Sequence, residues 1–249
     1  MAELKLLHMY PNLLDLYGDS GNVEILKYRC GLRGIDLKVY KHIIGDKDTD
    51  FEGMDIIYLG GGADLEQQML ADDLLKCTDG IKAAYEKGAF LLMICGGYQL
   101  LGQYYLDSNG EKIKGLGLFD YYTEASTDKR KRCIGNIVIE AKLGGEAYKV
   151  IGFENHGGQT KAVKTPFGRV LAGNGNEFSS SVEGYMEEHV VATYLHGPLL
   201  SKNPKLSDHI ISYCMSRQTG EKYTPSAVND KLEEECREVL LERLLGEKK

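Results

Sequence analysis

Features that would indicate a membrane-spanning or secreted protein are missing from this chain of 249 residues. No uninterrupted apolar run approaches the roughly 20 residues that span a bilayer, so direct membrane insertion is not expected. The first segment, MAELKLLHMYP, is too short and too broken by an acidic residue to be a signal peptide. These absences predict a cytoplasmic protein.

The chain also lacks the patterns of disulfide, zinc and nucleotide sites. Its six cysteines include no C-x-x-C pair, so the thiols are predicted to be reduced and most of them to be small core residues. No group of Cys and His has the spacing of a zinc site along the chain. There is no phosphate-binding loop and no dinucleotide fingerprint. We therefore expect no metal and no cofactor such as ATP or NAD.

Composition predicts an ordinary soluble globular protein. Hydrophobic residues make up 43% and charged residues 27%, and the net charge is −7. An acidic chain has no general affinity for nucleic acid or for anionic membranes. No Pro- or Ser-rich linker and no internal repeat divides the sequence, so residues 1–249 are predicted to form a single domain.

Strands alternate with helices in the first half of the chain, which predicts an α/β fold with a mainly parallel sheet and helices on both faces. The predicted strands there are 4–10, 35–41, 54–62 and 89–95, and the predicted helices are 22–33, 64–87 in two pieces, and 97–105. Asp19 or Ser20 is well placed to cap the first helix. The second half is less regular, with strands predicted at 135–142, 148–155, 168–173 and 189–197 and helices at 206–218 and 229–245. One face of the last helix is apolar, which predicts that it packs on the chain's own sheet rather than on another chain; its residues are Leu232, Cys236, Val239, Leu240 and Leu244.

The stretch LLMICGGYQ (91–99) carries the most distinctive chemistry, because it puts Cys95 at the end of the most apolar strand. Functional groups collect at the carboxyl ends of parallel strands. Gly96 and Gly97 permit the tight strand-to-helix turn of a nucleophile elbow, here with cysteine instead of serine. The helix that follows would direct free N–H groups at the sulfur and favour the thiolate. The alternative is a structural cysteine before a Gly-Gly turn.

A cysteine nucleophile usually needs a base, and two of the six histidines are candidates. His196 ends the apolar strand VVATYLHGP and is followed by a glycine, so it occupies the same kind of position as Cys95. His156, in FENHGG, also lies in a Gly-flanked polar turn and is the rival. The glycine run 60–62 leaves backbone N–H groups uncovered, which is typical of half an oxyanion hole and also of a flexible turn.

Taken together, the motifs resemble those of the class I glutamine amidotransferases, in the cobyric-acid-synthase-like branch. The matching stretches are CGGYQLLG (95–102), GGGADLEQ (60–67), GFENHGG (152–158) and TYLHGP (193–198). LYGDSGN (16–22), GLGLFDYYTE (115–124) and GNIVIE (135–140) are similar to the GatD-type subunits of MurT–GatD lipid II isoglutaminyl synthases. The resemblance covers nearly the whole chain, in order, and implies a flavodoxin-like open sheet.

The resemblance implies roles for individual residues. Cys95 would attack the side-chain amide of L-glutamine and form a thioester, with His196 as general base and acid. Gly61, Gly62 and Gly96 would supply the oxyanion hole. Arg132 aligns with the family's glutamine-binding arginine, with Arg130 as a close alternative. The other interpretation of DKRKR (128–132) is a solvated loop.

Two further implications concern a partner. The residues after His196 are Gly-Pro-Leu, so the acid that many of these enzymes carry two positions on is absent. The resemblance implies that a MurT-type, Mur-ligase-like chain supplies an Asp, binds ATP and lipid II, and forms a heterodimer with this one. Ammonia would then amidate the glutamate α-carboxylate of the lipid II stem peptide in peptidoglycan synthesis.

Three other functions remain open at this point. A cobyric-acid-synthase-like enzyme would deliver ammonia to another acceptor. A stand-alone γ-glutamyl hydrolase would need an orienting acid inside this chain, and none is evident in the sequence. A binding or redox-sensing α/β protein would never acylate Cys95.

Overall fold

A six-stranded sheet organises the computed structural model, which describes residues 2–246. In chain order the strands are β1 (Ala2–Met9), β2 (Ile35–His42), β3 (Ile56–Leu59), β4 (Phe90–Ile94), β5 (Tyr104–Leu106), β6 (Lys112–Lys114), β7 (Tyr122–Ala125), β8 (Cys133–Leu143), β9 (Glu146–His156), β10 (Gly158–Lys161), β11 (Gly168–Ala172), β12 (Val182–Glu183), β13 (Tyr185–Glu187) and β14 (Val190–Thr193). The α-helices are α1 (Gly21–Gly31), α2 (Asp64–Lys76), α3 (Thr78–Glu86), α4 (Gly96–Leu101), α5 (Pro204–Thr219) and α6 (Lys231–Leu245). Short 3₁₀ helices occur at Leu16–Gly18, Lys129–Lys131 and Leu199–Lys202.

The central sheet has the spatial order β13-β14-β4-β3-β1-β2, and every neighbouring pair is parallel except β13 with β14. This is the doubly wound, flavodoxin-like order. The connections β1–α1–β2 and β3–α2–α3–β4 run in opposite directions across the sheet. Right-handed crossovers therefore put their helices on opposite faces, as predicted.

β4 lies inside this sheet between β3 and β14. All five of its residues, FLLMI, are fully buried, which explains why the sequence shows an uninterrupted apolar run rather than an alternation. The carboxyl ends of β3, β4 and β14 lie side by side, because Leu59 pairs with Met93 and Thr193 pairs with Ile94. The segments that follow these three strands therefore share one edge of the sheet.

The strands β5 to β12 form two separate four-stranded sheets, in the orders β10-β7-β5-β6 and β12-β11-β8-β9. β8 and β9 are a long antiparallel hairpin in which Cys133 pairs with His156 and Leu143 with Glu146. The predicted strand 189–197 is shorter than expected, since β14 ends at Thr193. His196 lies beyond it and forms an isolated bridge to Phe153 of β9, with N–O distances of 2.8 and 3.2 Å.

The last helix packs against β8 and β11 of its own chain, as its apolar face predicts. Only part of that face is covered: Leu240 and Leu244 are half-buried, whereas Leu232, Cys236 and Val239 are exposed. The buried residue of α6 is Arg237, whose guanidinium donates hydrogen bonds to the carbonyls of Lys202 and Lys149. Hydrogen bonds from a charged donor are stronger than neutral ones, so Arg237 adds a polar attachment to the packing of this helix. Within residues 2–246, no helix is long and apolar enough to cross a bilayer.

Candidate active site

Cys95 joins β4 to α4 in a strained turn. Its backbone has φ 50° and ψ −99°, which L-residues other than glycine rarely adopt, and such strain is stored where the surrounding structure enforces it. A Cβ on Gly97 would lie 2.6 Å from the Leu59 carbonyl oxygen, and one on Gly96 would lie 3.1 Å from the Gln67 amide. The two glycines therefore allow α4 to start directly against β3. This is the elbow geometry that the sequence predicted.

Cys95 is 4% exposed, but it lines a cavity of about 340 Å³. The cavity also contacts the loop after β3, the segment 125–132 and the end of β9. A thiol at the base of a cavity of this size can meet a small, amino-acid-sized ligand without facing bulk water.

His196 lies beside Cys95 at the neighbouring strand end. A Cβ on Gly61 would be 2.6 Å from His196 Cε1 and 3.1 Å from Cys95 Cβ, so the imidazole and the thiol border the same glycine. His196 Nε2 is buried and has no hydrogen-bond partner within the described residues. Burial opposes charge on this ring, but the neighbouring charge of Cys95 and the contact with Asp19 outweigh it and raise the pKa of His196 to about 10.

Asp19 is a residue of the candidate site that sequence reasoning missed. Its Oδ2 atom lies 2.8 Å from His196 Nδ1, and the Gly61 N–H donates to the same oxygen at 3.1 Å. Sequence reasoning considered Asp19 only as a helix cap; the N-cap residue of α1 is Ser20, and no side-chain hydrogen bond caps this end. An acid that was not evident in the sequence therefore lies beside His196 within this chain.

The buried Asp19–His196 pair has two opposing electrostatic tendencies. Burial raises the pKa of Asp19 above its usual value, although the hydrogen bonds from His196 and Gly61 act against this. The raised pKa of Asp19 favours its neutral carboxylic acid. The raised pKa of His196 favours the imidazolium, which would pair with an ionised Asp19. We favour the carboxylate, because Oδ2 is directed at two N–H groups. With Nδ1–H donating to Asp19, Nε2 is the nitrogen that can accept a proton.

The glycine turn after β3 supplies fewer N–H groups for an oxyanion hole than the sequence predicted. The Gly61 N–H is already bound to Asp19, so it is not free to hold an oxyanion. The Gly62 nitrogen lies 3.2 Å from the position that a Cβ on Gly96 would take, so these two backbone segments adjoin. Within the described part of the chain, neither the Gly62 N–H nor the Gly96 N–H donates a hydrogen bond. Gly62 and Gly96 are the remaining candidates for the oxyanion hole.

The two candidate arginines differ clearly in position. Arg132 lines the cavity, and its Nε donates to Asn155 Oδ1 at 2.9 Å. Arg130 does not line it: its side chain is 90% exposed and pairs with Asp128 at 2.9 Å. Of these two arginines, only Arg132 is therefore positioned to meet a ligand carboxylate beside Cys95.

His156 also lines the cavity, but its contacts differ from those of His196. Its Nδ1 lies 2.7 Å from the Gly158 carbonyl oxygen, and its ring stacks on Tyr194 with centroids 3.5 Å apart. Its Nε2 is 3.9 Å from a Glu154 oxygen. These contacts make it a rigid part of the cavity wall.

Two glutamines form a further polar part of the wall that the sequence did not reveal. Gln67 donates to the Gly62 carbonyl at 3.1 Å and to Gln99 Oε1 at 3.0 Å. Its own Oε1 is buried without a partner in the described chain. A buried amide oxygen in a cavity can accept a hydrogen bond from a ligand ammonium or amide.

Comparison with known proteins identifies the family. Residues 5–204 match the CobB/CobQ-like glutamine amidotransferase domain. The chain is 36% identical over 249 residues to subunit GatD of the glutamine-hydrolysing lipid II isoglutaminyl synthase of Staphylococcus aureus (strain N315), covering 100% of this chain and 99% of that protein. It is 37% identical over 238 residues to the same subunit from Streptococcus pneumoniae (strain ATCC BAA-255 / R6), covering 95% and 90%.

More distant similarities agree with this result. A cobyric acid synthase of Limosilactobacillus reuteri (strain DSM 20016) is 30% identical over 168 residues, which are 64% of this chain and 31% of the synthase. In fold, the chain resembles one in the structure of PurLQS from Thermotoga maritima, with TM-score 0.57, 14% identity and coverage of 88% and 100%. The chain thus belongs to the CobB/CobQ-like glutamine amidotransferase family, and it is an enzyme.

Proposed function

We propose that this chain is the glutaminase subunit of a lipid II isoglutaminyl synthase. In this role it hydrolyses L-glutamine to glutamate and ammonia in the cytoplasm, and a MurT-type partner uses the ammonia to amidate the lipid II stem peptide. The single observation that carries the glutaminase assignment is the position of His196 between the carboxylate of Asp19, at 2.8 Å, and Cys95, which lines a cavity. The acceptor assignment rests on the similarity to two GatD subunits over nearly their whole length.

The first half-reaction uses the nucleophile and its base. His196 Nε2 takes the Cys95 proton, and the sulfur attacks the side-chain amide carbon of glutamine. The carbonyl oxygen becomes an oxyanion, which the Gly62 and Gly96 amides stabilise. His196 then protonates the leaving nitrogen, the C–N bond breaks, and ammonia and a γ-glutamyl thioester result.

The second half-reaction regenerates the enzyme. Neutral His196 takes a proton from water, the hydroxide attacks the thioester carbon, and the C–S bond breaks to give glutamate. Asp19 holds the imidazole in the required tautomer and stabilises its cationic form in both steps. None of these steps needs a metal or a nucleotide in this chain, so the ATP that activates the acceptor would bind to the partner.

Two alternatives remain weaker. A cobyric-acid-type acceptor has less support, because the similarity to cobyric acid synthases covers only part of this chain and about a third of the synthases. A stand-alone γ-glutamyl hydrolase was disfavoured for want of an internal acid, but Asp19 removes that objection. What disfavours it now is the family match and the similarity to synthase subunits.

Reconstitution tests the acceptor. We expect this chain and its MurT-type partner to co-purify and to amidate lipid II when supplied with ATP and glutamine. Cys95→Ser should remove amidation from glutamine but keep amidation from ammonium chloride, because only ammonia production needs the thiol. A complex that hydrolyses glutamine and accepts ammonium, yet never amidates lipid II, would contradict the acceptor and leave the glutaminase intact.

Arg132 is expected to bind the α-carboxylate of glutamine. Replacing it with alanine should raise the glutamine KM by about 10–100-fold with a smaller change in kcat, since a lost charge-assisted hydrogen bond costs roughly 1.5–3 kcal/mol. Arg130→Ala is the matched control, two positions away and outside the cavity, and should leave KM within about twofold. Steady-state ammonia release measures both, and the opposite pattern would transfer the role to Arg130.

A further inference from the structure

A second group of metal-ligand side chains lies outside the cavity and is not used by the proposed mechanism. His42 is the last residue of β2, Asp73 lies in α2, and Cys77 directly follows that helix. All three are buried, and one ligand atom from each lies within 4.8 Å of the other two. Asp73 and Cys77 share one helix face because they are four positions apart. The end of β2 brings the imidazole to that face.

The two ligand–ligand distances from His42 fit a metal coordination sphere. His42 Nε2 is 3.2 Å from Asp73 Oδ2 and 3.4 Å from Cys77 Sγ. With bonds of about 2.0 Å to nitrogen and oxygen and about 2.3 Å to sulfur, a tetrahedral zinc site has ligand–ligand edges of about 3.3–3.6 Å. Imidazole, thiolate and carboxylate are also the ligand types that zinc takes in proteins.

Surrounding groups orient the three ligands. Thr49 Oγ1 lies 2.7 Å from His42 Nδ1, the ring nitrogen directed away from the group. The Gly45 N–H donates to Asp73 Oδ1 at 3.1 Å, so the other carboxylate oxygen faces the ring. The buried Tyr10 hydroxyl is 3.0 Å from Asp73 Oδ2 and 3.8 Å from Cys77 Sγ. Outer partners of this kind hold metal ligands in one orientation.

We propose that His42, Asp73 and Cys77 bind one zinc ion, which links the end of β2 to α2. On binding, the Cys77 thiol releases its proton to solvent. The imidazole proton stays on Nδ1 of His42, and this N–H donates a hydrogen bond to Thr49 Oγ1. Nothing is oxidised or reduced. The Tyr10 hydroxyl lies next to two of the ligand atoms, Asp73 Oδ2 and Cys77 Sγ. Since α2 also carries Gln67 into the glutamine cavity, the ion would stabilise a helix that forms part of the cavity wall.

This site departs from the sequence-based expectation of no metal. That expectation considered only Cys and His that are close together in the chain. His42 and Asp73 are separated by 31 positions. Asp73 is also one of 37 acidic residues in the sequence, so its position alone does not mark it as a ligand. Only the packing of β2 against α2 assembles the three ligands.

The test uses the full-length chain with Cys95→Ser, so that the thiol beside His196 cannot bind the probe. After chelation and dialysis, zinc is titrated with metal analysis after gel filtration, and cobalt(II) is titrated by absorption spectroscopy. We expect one equivalent of metal, a thiolate-to-cobalt charge-transfer band, and a zinc-dependent rise in Tm. None of these readouts depends on glutamine hydrolysis.

Variants assign the ligands. Adding Cys77→Ser or His42→Gln should weaken zinc binding by about 100-fold or more and remove the zinc-dependent rise in Tm, and Cys77→Ser should also remove the charge-transfer band. Cys30→Ala, which changes another buried cysteine, should bind zinc as before. If Cys77→Ser does not fold, Asp73→Asn replaces it as a variant of almost the same shape. Failure of the Cys95→Ser chain to bind zinc, or equal binding by the ligand variants, would overturn the proposal.

Discussion

Cys95→Ser is expected to abolish ammonia release from glutamine, with a loss of about 10⁴-fold or more in kcat. A serine hydroxyl in this turn keeps the shape of the elbow but is a far weaker nucleophile than a thiolate. The strained backbone of residue 95 aims its side chain into the cavity, so no other cysteine can take over this role. Coupled detection of ammonia or glutamate measures the loss.

Covalent labelling gives an independent measurement of the same residue. The glutamine analogue 6-diazo-5-oxo-norleucine should add once to the wild-type chain, at Cys95, and not at all to Cys95→Ser. Cys236→Ser is the control, because this thiol is exposed and lies outside the cavity. A label on a different cysteine, together with normal hydrolysis by Cys95→Ser, would refute the nucleophile and favour a binding or redox-sensing protein.

Asp19→Asn is expected to lower kcat by about 10³–10⁴-fold while the glutamine KM changes little. The amide cannot stabilise imidazolium, and its NH₂ group favours the tautomer that leaves Nε2 protonated. Asp19 touches His196 and not the cavity, so this is a positioning effect transmitted through the ring. Steady-state kinetics over a pH series measure it, and the pH profile should change along with kcat.

The control for Asp19 is its neighbour Asp15. The Asp15 carboxylate accepts a hydrogen bond from the Ser20 N–H and does not contact His196, so Asp15→Asn should keep kcat within about threefold. The experiment is done with the isolated chain and with its partner. An Asp19→Asn chain that stays active in both would remove Asp19 from the mechanism and return the third catalytic role to a residue of the partner.

The central sheet was predictable because its signals are local. The apolar strands, the helices between them and the glycines that end those helices are each visible in a short stretch of sequence. Right-handed crossovers then restrict how the strands and helices can be arranged. The antiparallel sheets were less predictable, since the pairing of β8 with β9 and of β5 with β7 depends on contacts that no short stretch contains. For α6, the apolar pattern predicted packing on the chain's own sheet, but it did not reveal the polar contacts of buried Arg237, which depend on carbonyls of distant segments.

The sequence by itself determined the elbow, because β4, Cys95, its two glycines and α4 are contiguous and their geometry follows from chain stereochemistry. It also narrowed the base to His196 or His156. Only the tertiary structure decided that Asp19 orients His196 across 177 positions, that Gly61 is occupied by that carboxylate, and that Arg132 rather than Arg130 lines the cavity. These are contacts between side chains carried by separate elements. They exist only once the sheet has brought strand ends together, so no pattern along the chain encodes them.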